Sequence, residues 1–101
     1  MDLKEFIRSI PDYPKKGILF RDITTLIKNE RAFAECIDQI VNNSKKFKFN
    51  KIAAIESRGF VFASAVSYIL KKPFIMLRKK NKLPAEVHSV DFKLEYGKAT
   101  I

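Results

Sequence analysis

The chain has 101 residues, 47% hydrophobic and 31% charged, and its 20 Lys+Arg against 11 Asp+Glu give a formal net charge of +9. That size suits one domain, and nine Phe with three Tyr exclude a disordered segment that buries no core. A single Cys and a single His exclude an internal disulfide, a multi-cysteine zinc site and a His-rich metal centre, and no apolar run approaches the roughly 20 residues of a membrane helix.

Residues 1–5 are charged and lack an apolar signal core, so the chain is expected to be cytoplasmic. Asp2 followed by Glu5 fits a capping box. Leu3, Phe6, Ile7 and Ile10 recur at helical spacing, so a helix is predicted that Pro11 ends. Residues 11–17 are turn-rich, and the short apolar run Ile18, Leu19, Phe20 is interrupted by Arg21 and Asp22. Asn29 is placed to cap a second helix whose apolar stripe is Ala32, Phe33, Cys36, Ile37, Ile40 and Val41. Cys36 lies on that stripe and reads as core, not as a nucleophile.

Residues 51–56 read as a short apolar strand, 57–59 as a turn, 60–70 as a helix and 73–78 as a second apolar strand. A strand, helix, strand unit implies a parallel pair with a right-handed crossover. Chemistry in such units collects at the carboxyl ends of the strands, so Glu56, Ser57, Arg58 and Gly59 should neighbour Arg78 and Lys79. Two arginines converging beside a helix N-terminus favour an anion site over two unrelated surface charges. From Ser89 the pattern alternates, with Val90, Phe92, Leu94 and Tyr96 apolar, which reads as a strand with one wet face. Gly97 reads as a turn and residues 98–101 as the start of a return strand. Two apolar parallel strands expect further neighbours. The sequence therefore reads as the first part of a larger α/β domain, cut inside a hairpin.

The charge is uneven. Residues 45–51 hold four lysines, Lys45, Lys46, Lys48 and Lys51, without an acid. Residues 71–82 hold six cations without an acid, leaving ten positives against 11 negatives elsewhere. A basic cluster serves nucleic acid, an anionic membrane, a polyphosphate ligand, or solubility alone. The positives form no helix stripe and do not interleave with aromatics as in a known binding motif, so nucleic acid is not the expected partner, and without a long apolar run no membrane partner is expected either.

Four ordered segments then resemble the adenine phosphoribosyltransferase family. Residues 7–14 with 17–23 look like its N-terminal signature, and Glu56-Ser57-Arg58-Gly59-Phe60-Val61-Phe62 is similar to its second. Arg78 and Lys79 with Lys82-Leu83-Pro84 match the third, and Leu94-Glu95-Tyr96-Gly97 the fourth. The resemblance implies a type I phosphoribosyltransferase fold, a parallel sheet flanked by helices with an N-terminal hood, incomplete here. Residues 1–50 would be the hood and helical part, 51–78 the strand-helix-strand core, and 79–101 the active-site loop and hairpin. The acidic pair and Gly/Thr-rich loop by which the family grips the ribose 5-phosphate are not in the sequence. It covers roughly the first three-fifths of a family member and is expected to be inactive alone.

The resemblance further implies phosphoribosyl transfer from phosphoribosyl pyrophosphate to adenine, giving AMP and pyrophosphate, with Mg2+ bound alongside the donor, in a cytoplasmic homodimer. Leu19, Phe20 and Arg21 match the base-binding segment; without it Phe20 would read as core and Arg21 as an ion pair with Asp22. Ser57 and Arg58, with Glu56 before them, match the pyrophosphate turn. Arg78, Lys79 and Lys82 match further phosphate contacts, while Lys71, Lys72 and Lys80 read as solvent-facing. Glu95 and Tyr96 match a loop that closes over the site, Glu95 handling the adenine imidazole proton. His88 matches no motif. Two other readings stay open: a small nucleic-acid-binding module, and a non-catalytic protein of the same fold.

Overall fold

The computed structural model describes residues 1–84, 88–89, 91–94 and 97–100. It forms two compact units, Met1–Ser44 and Lys45–Ile101.

In the first unit, a 3-10 turn at Leu3–Phe6 is capped by Asp2, whose Oδ1 accepts the Lys4 N–H at 3.1 Å. The helix predicted up to Pro11 does not continue. Ile7 is extended, and Arg8–Pro11 form β1, antiparallel to β2 at Leu19–Asp22, with Arg8 opposite Asp22 and Pro11 opposite Leu19. A helix of under three turns is marginal by itself, whereas β2 offers this backbone a full ladder partner. Pro11 stands at the strand end, where its missing N–H is tolerated.

The loop between the strands is turn-rich, as expected. Asp12 and Gly17 have φ of 57° and 88°, and the Asp12 carboxylate accepts the Gly17 N–H at 2.8 Å. Both residue types enter the left-handed region at low cost. α1, Thr24–Ile27, was not expected; α2, Glu30–Ser44, was. Asn29 caps α2, its Oδ1 accepting the Ala32 N–H at 2.9 Å. Ala32, Ile37 and Val41 are buried together with Leu26 of α1. Ile40 is exposed, so the buried stripe is narrower than the apolar one.

In the second unit, β3 (Ile52–Ile55) and β4 (Phe74–Leu77) run parallel, Ile52 opposite Phe74 and Ile55 opposite Leu77. α3, Arg58–Leu70, joins them and packs on both. Ala63 and Val66 are buried, and the Phe60 ring meets Phe74 edge-on at 5.5 Å. The other face of the pair exposes Ile55 and Ile75, and Met76, in register with Ala54 on the α3 side, is exposed as well. Lys72 is not purely solvent-facing: its Nζ donates to the Phe49 carbonyl at 2.9 Å and lies 4.9 Å from the Phe49 ring centroid. The long aliphatic stem lets it cover apolar surface while satisfying a strand-entry carbonyl.

β5 (Asp91–Leu94) and β6 (Gly97–Thr100) form an antiparallel hairpin in which Gly97 opens the return strand. The Lys80 N–H donates to the Thr100 carbonyl at 2.9 Å. Among the described residues, no helix is long and apolar enough to cross a membrane.

Candidate active site

The carboxyl ends of β3 and β4 form one rim. The Glu56 N–H donates to the Leu77 carbonyl at 2.9 Å, extending the parallel ladder by one residue. The Glu56–Ser57 peptide is cis, and Ser57 then stands at the N-cap of α3 with φ −108° and ψ −22°. Its side chain makes no cap hydrogen bond, while its carbonyl accepts the Phe60 N–H at 3.1 Å. Arg58 opens the 13-residue helix and is exposed. Orphan N–H groups, the positive end of the helix dipole and a guanidinium therefore share one corner. A pocket of about 510 Å³ opens there, lined by Ala53, Ile55, Glu56, Arg58, Gly59 and Leu77 among others.

Close packing sets this corner. A Cβ added to Gly59 would lie 3.2 Å from the Ala54 Cβ, so the absence of a side chain lets α3 start directly against β3.

Across the rim, Arg78 and Lys79 follow β4 as expected. The Glu56 carboxylate reaches them: Oε1 accepts the Lys79 N–H, and Oε2 lies 3.7 Å from Arg78 Nη2. Arg78 Nη1 donates to the Lys82 carbonyl at 3.4 Å. The Lys82 N–H returns to the Lys79 carbonyl at 3.2 Å across Asn81, whose φ is 67°. The fold thus gathers Glu56, Ser57, Arg58, Arg78, Lys79 and Lys82. Sequence reading overlooked Asn81 and the Lys79 amide; an Asn inside a four-residue basic run was the signal for a left-handed turn.

The other group, Leu19, Phe20 and Arg21, lies on β2 in the first unit. Leu19 is 48% exposed, and Phe20 is half-buried with its ring edge-on to Tyr13 at 5.2 Å. Arg21 does not pair with Asp22: its Nη1 donates to Ser9 Oγ at 2.7 Å. Strand geometry explains this, since adjacent residues point to opposite faces. Asp22 takes Arg8 instead, with Arg8 Nε 3.0 Å from Oδ2, and its Oδ1 accepts the Thr24 N–H and hydroxyl at 2.9 and 2.7 Å. The two Thr24 bonds, with Arg8 adding to them, lower the Asp22 carboxyl from its ordinary 3.8 to about 2. Asp22-x-Thr24 was the legible sign of this local side-chain turn.

Glu95 and Tyr96 lie outside the described residues. Cys36 is half-buried and burial raises its thiol, in keeping with a packing role. Among the described residues, no group of three or more His, Cys, Asp or Glu could hold a metal. Glu56, the rim's acid, is turned to Lys79 and Arg78. These residues do not fit a protein-caged magnesium ion, so no step here runs through one.

No family model matches the chain. An adenine phosphoribosyltransferase of Pelagibacter ubique is 80% identical over 101 residues, which is all of this chain and 58% of the relative. The crystal structure of adenine phosphoribosyltransferase from Thermoanaerobacter pseudethanolicus superposes with a TM-score of 0.90 at 45% identity, covering 97% of this chain and 57% of that one. The Giardia lamblia enzyme complexed with 9-deazaadenine gives 0.92 at 34% identity, with 98% and 55% covered. The chain therefore carries, in part, the type I phosphoribosyltransferase fold. Along its whole length it matches adenine phosphoribosyltransferases, and it spans about 58% of the length of the curated relatives it matches.

Proposed function

We propose that the chain supplies the base-binding and pyrophosphate-binding parts of an enzyme that transfers the phosphoribosyl group of phosphoribosyl pyrophosphate to adenine, giving AMP and pyrophosphate. The observation that carries this reading is the rim itself. Ser57 and Arg58 open α3, and Glu56 beside them contacts Arg78 and the Lys79 main chain, whose turn reaches Lys82, so two segments about 20 residues apart share one rim.

The chemistry suits that arrangement. Adenine N9 forms a bond to the donor's C1 as the C1–O bond to pyrophosphate breaks. Positive charge builds on the sugar and negative charge on the departing oxygens. Fixed cations and helix N–H groups stabilise the leaving group without reorganising during the step. Arg58 and the Arg78, Lys79 and Lys82 group do this work, with the Ser57 hydroxyl as a further donor. Phe20 offers a ring face to the purine, Leu19 an apolar wall, and the strand backbone beside them donors and acceptors for its edge. Arg21 borders that segment. Glu95 accepts the imidazole proton as the new bond forms, and Tyr96 helps close the loop, which excludes water and so prevents donor hydrolysis.

Magnesium, in this reading, arrives on the donor's own phosphates and supplies charge neutralisation there. Residues 1–50 act as the hood over the base, 51–78 as the core and 79–101 as the closing loop. A cytoplasmic homodimer serving purine salvage completes the proposal.

The test is a chimera in which these 101 residues replace the matching segment of the Pelagibacter ubique relative. Radiolabelled adenine should be converted to AMP when phosphoribosyl pyrophosphate is present. A folded chimera that makes no AMP would sink the reading.

A further inference from the structure

We propose that Glu56 is a positioning residue for the cationic rim: its carboxylate holds the Lys79 main chain and the Arg78 side chain for the pyrophosphate and does not itself meet the ligand. The inference rests on the pyrophosphate reading above and changes the part Glu56 plays in it.

A carboxylate at a site for a highly charged anion is an electrostatic liability, and simple Coulomb repulsion predicts tighter anion binding without it. The geometry gives a reason for its presence. The Glu56 side chain is only 12% exposed, and its two oxygens face two different donors on the neighbouring strand end. Its own N–H is fixed to Leu77 on the same strand. It therefore ties the β3 end to β4 through both backbone and side chain.

Arg78 depends on that tie. Its polar contacts are long, 3.4 Å to the Lys82 carbonyl and 3.7 Å to Glu56, and its Nε is enclosed without a partner among the described residues. The guanidinium is thus held at one end by Glu56 and at the other by a turn that Glu56 also anchors through Lys79. Loss of the Glu56 acceptor would free the first residue of that turn and leave Lys82 without a fixed base. Two of the three rim cations that follow β4, Arg78 and Lys82, would then meet an ordering cost on binding that the intact rim has already met.

The experiment compares the wild-type chain with Glu56→Ala and Glu56→Gln, titrating inorganic pyrophosphate by calorimetry and following hydrogen exchange of the Lys79 amide by NMR. Glu56→Ala should bind pyrophosphate about tenfold more weakly although a negative charge has gone, because a part-buried acceptor has been lost. Glu56→Gln, which keeps a carbonyl acceptor, should recover most of that loss. The Lys79 amide should be protected in wild type and Gln but exchange freely in Ala. If Glu56→Ala binds pyrophosphate as tightly as wild type or more tightly, the inference is overturned. If the wild-type Lys79 amide is unprotected, it is overturned whatever the affinities. Absence of pyrophosphate binding by wild type, with Lys79 protected, would instead overturn the pyrophosphate reading and with it the purpose assigned to Glu56. Should Glu56→Ala melt early, Glu56→Asp replaces it: the charge stays, the reach is lost, and binding should fall as for Ala.

Discussion

Asp22 stands opposite Arg8 in the β1–β2 ladder and divides its hydrogen bonds evenly, two from Arg8 to Oδ2 and two from Thr24 to Oδ1. Arg8 keeps 61% of its side chain exposed while Asp22 keeps 8%. The carboxylate therefore joins the cross-strand arginine to Thr24, the first residue of α1. Its distribution of bonds fixes the strand that carries Leu19, Phe20 and Arg21 to the helix that follows.

Asp22 makes stability depend on acid. Its folded carboxyl is lowered from 3.8 to about 2, so its contribution is full above about 3.8 and is lost as pH falls through 2. Asp22→Asn should melt below wild type at pH 7, and the gap should close as pH falls across that window. Arg8→Ala should cost less than Asp22→Asn, because an exposed ion pair contributes little. Thermal melts of the three proteins from pH 7 to pH 2 decide this; a gap independent of pH would remove the assignment.

Gly59 is set by space and not by backbone freedom. Gly59→Ala should gain up to about 1 kcal/mol in helix propensity but lose roughly 1–3 kcal/mol to overpacking against Ala54, for a small net destabilisation. Gly59→Val should cost more and shift the start of α3 away from β3. Urea denaturation ranks the three, and equal stability of all would show that the 3.2 Å approach is not a constraint.

Arg58→Ala should weaken binding of phosphoribosyl pyrophosphate by roughly tenfold or more, the usual scale for losing a charged hydrogen-bond donor. Isothermal titration reads the change directly. An unaltered affinity would take Arg58 out of the pyrophosphate site.

In the chimera, Glu95→Gln should lower kcat by about a hundredfold or more with little change in KM for adenine, since a proton acceptor acts in the chemical step. Unchanged kcat would remove Glu95 from proton transfer.

Much of the second unit was legible because its signals are local or simply periodic. Residues 52–55 and 74–77 are short apolar runs flanking a helix of the right length, and that pattern has few folded solutions. Asn29 declared its helix in the same way. The first unit was less legible. Leu3, Phe6, Ile7 and Ile10 carry helical spacing, but Arg8–Pro11 become a strand because Leu19–Asp22 is available to pair with them. A period over ten residues is weak information beside a ladder partner eight or more residues away.

The sequence alone determined the candidate residues and the end of the sheet where they collect. Strand direction and helix placement follow from patterning, and the charge of a side chain does not depend on its neighbours. Only the tertiary structure decided how those residues are spent. It gave Asp22 the cross-strand Arg8 in place of Arg21, drew Lys72 onto Phe49, and directed Glu56 at its neighbours on β4. Each outcome rests on which donors lie within about 3 Å of a given oxygen or carbonyl, a quantity set by packing across elements that no one-dimensional pattern encodes.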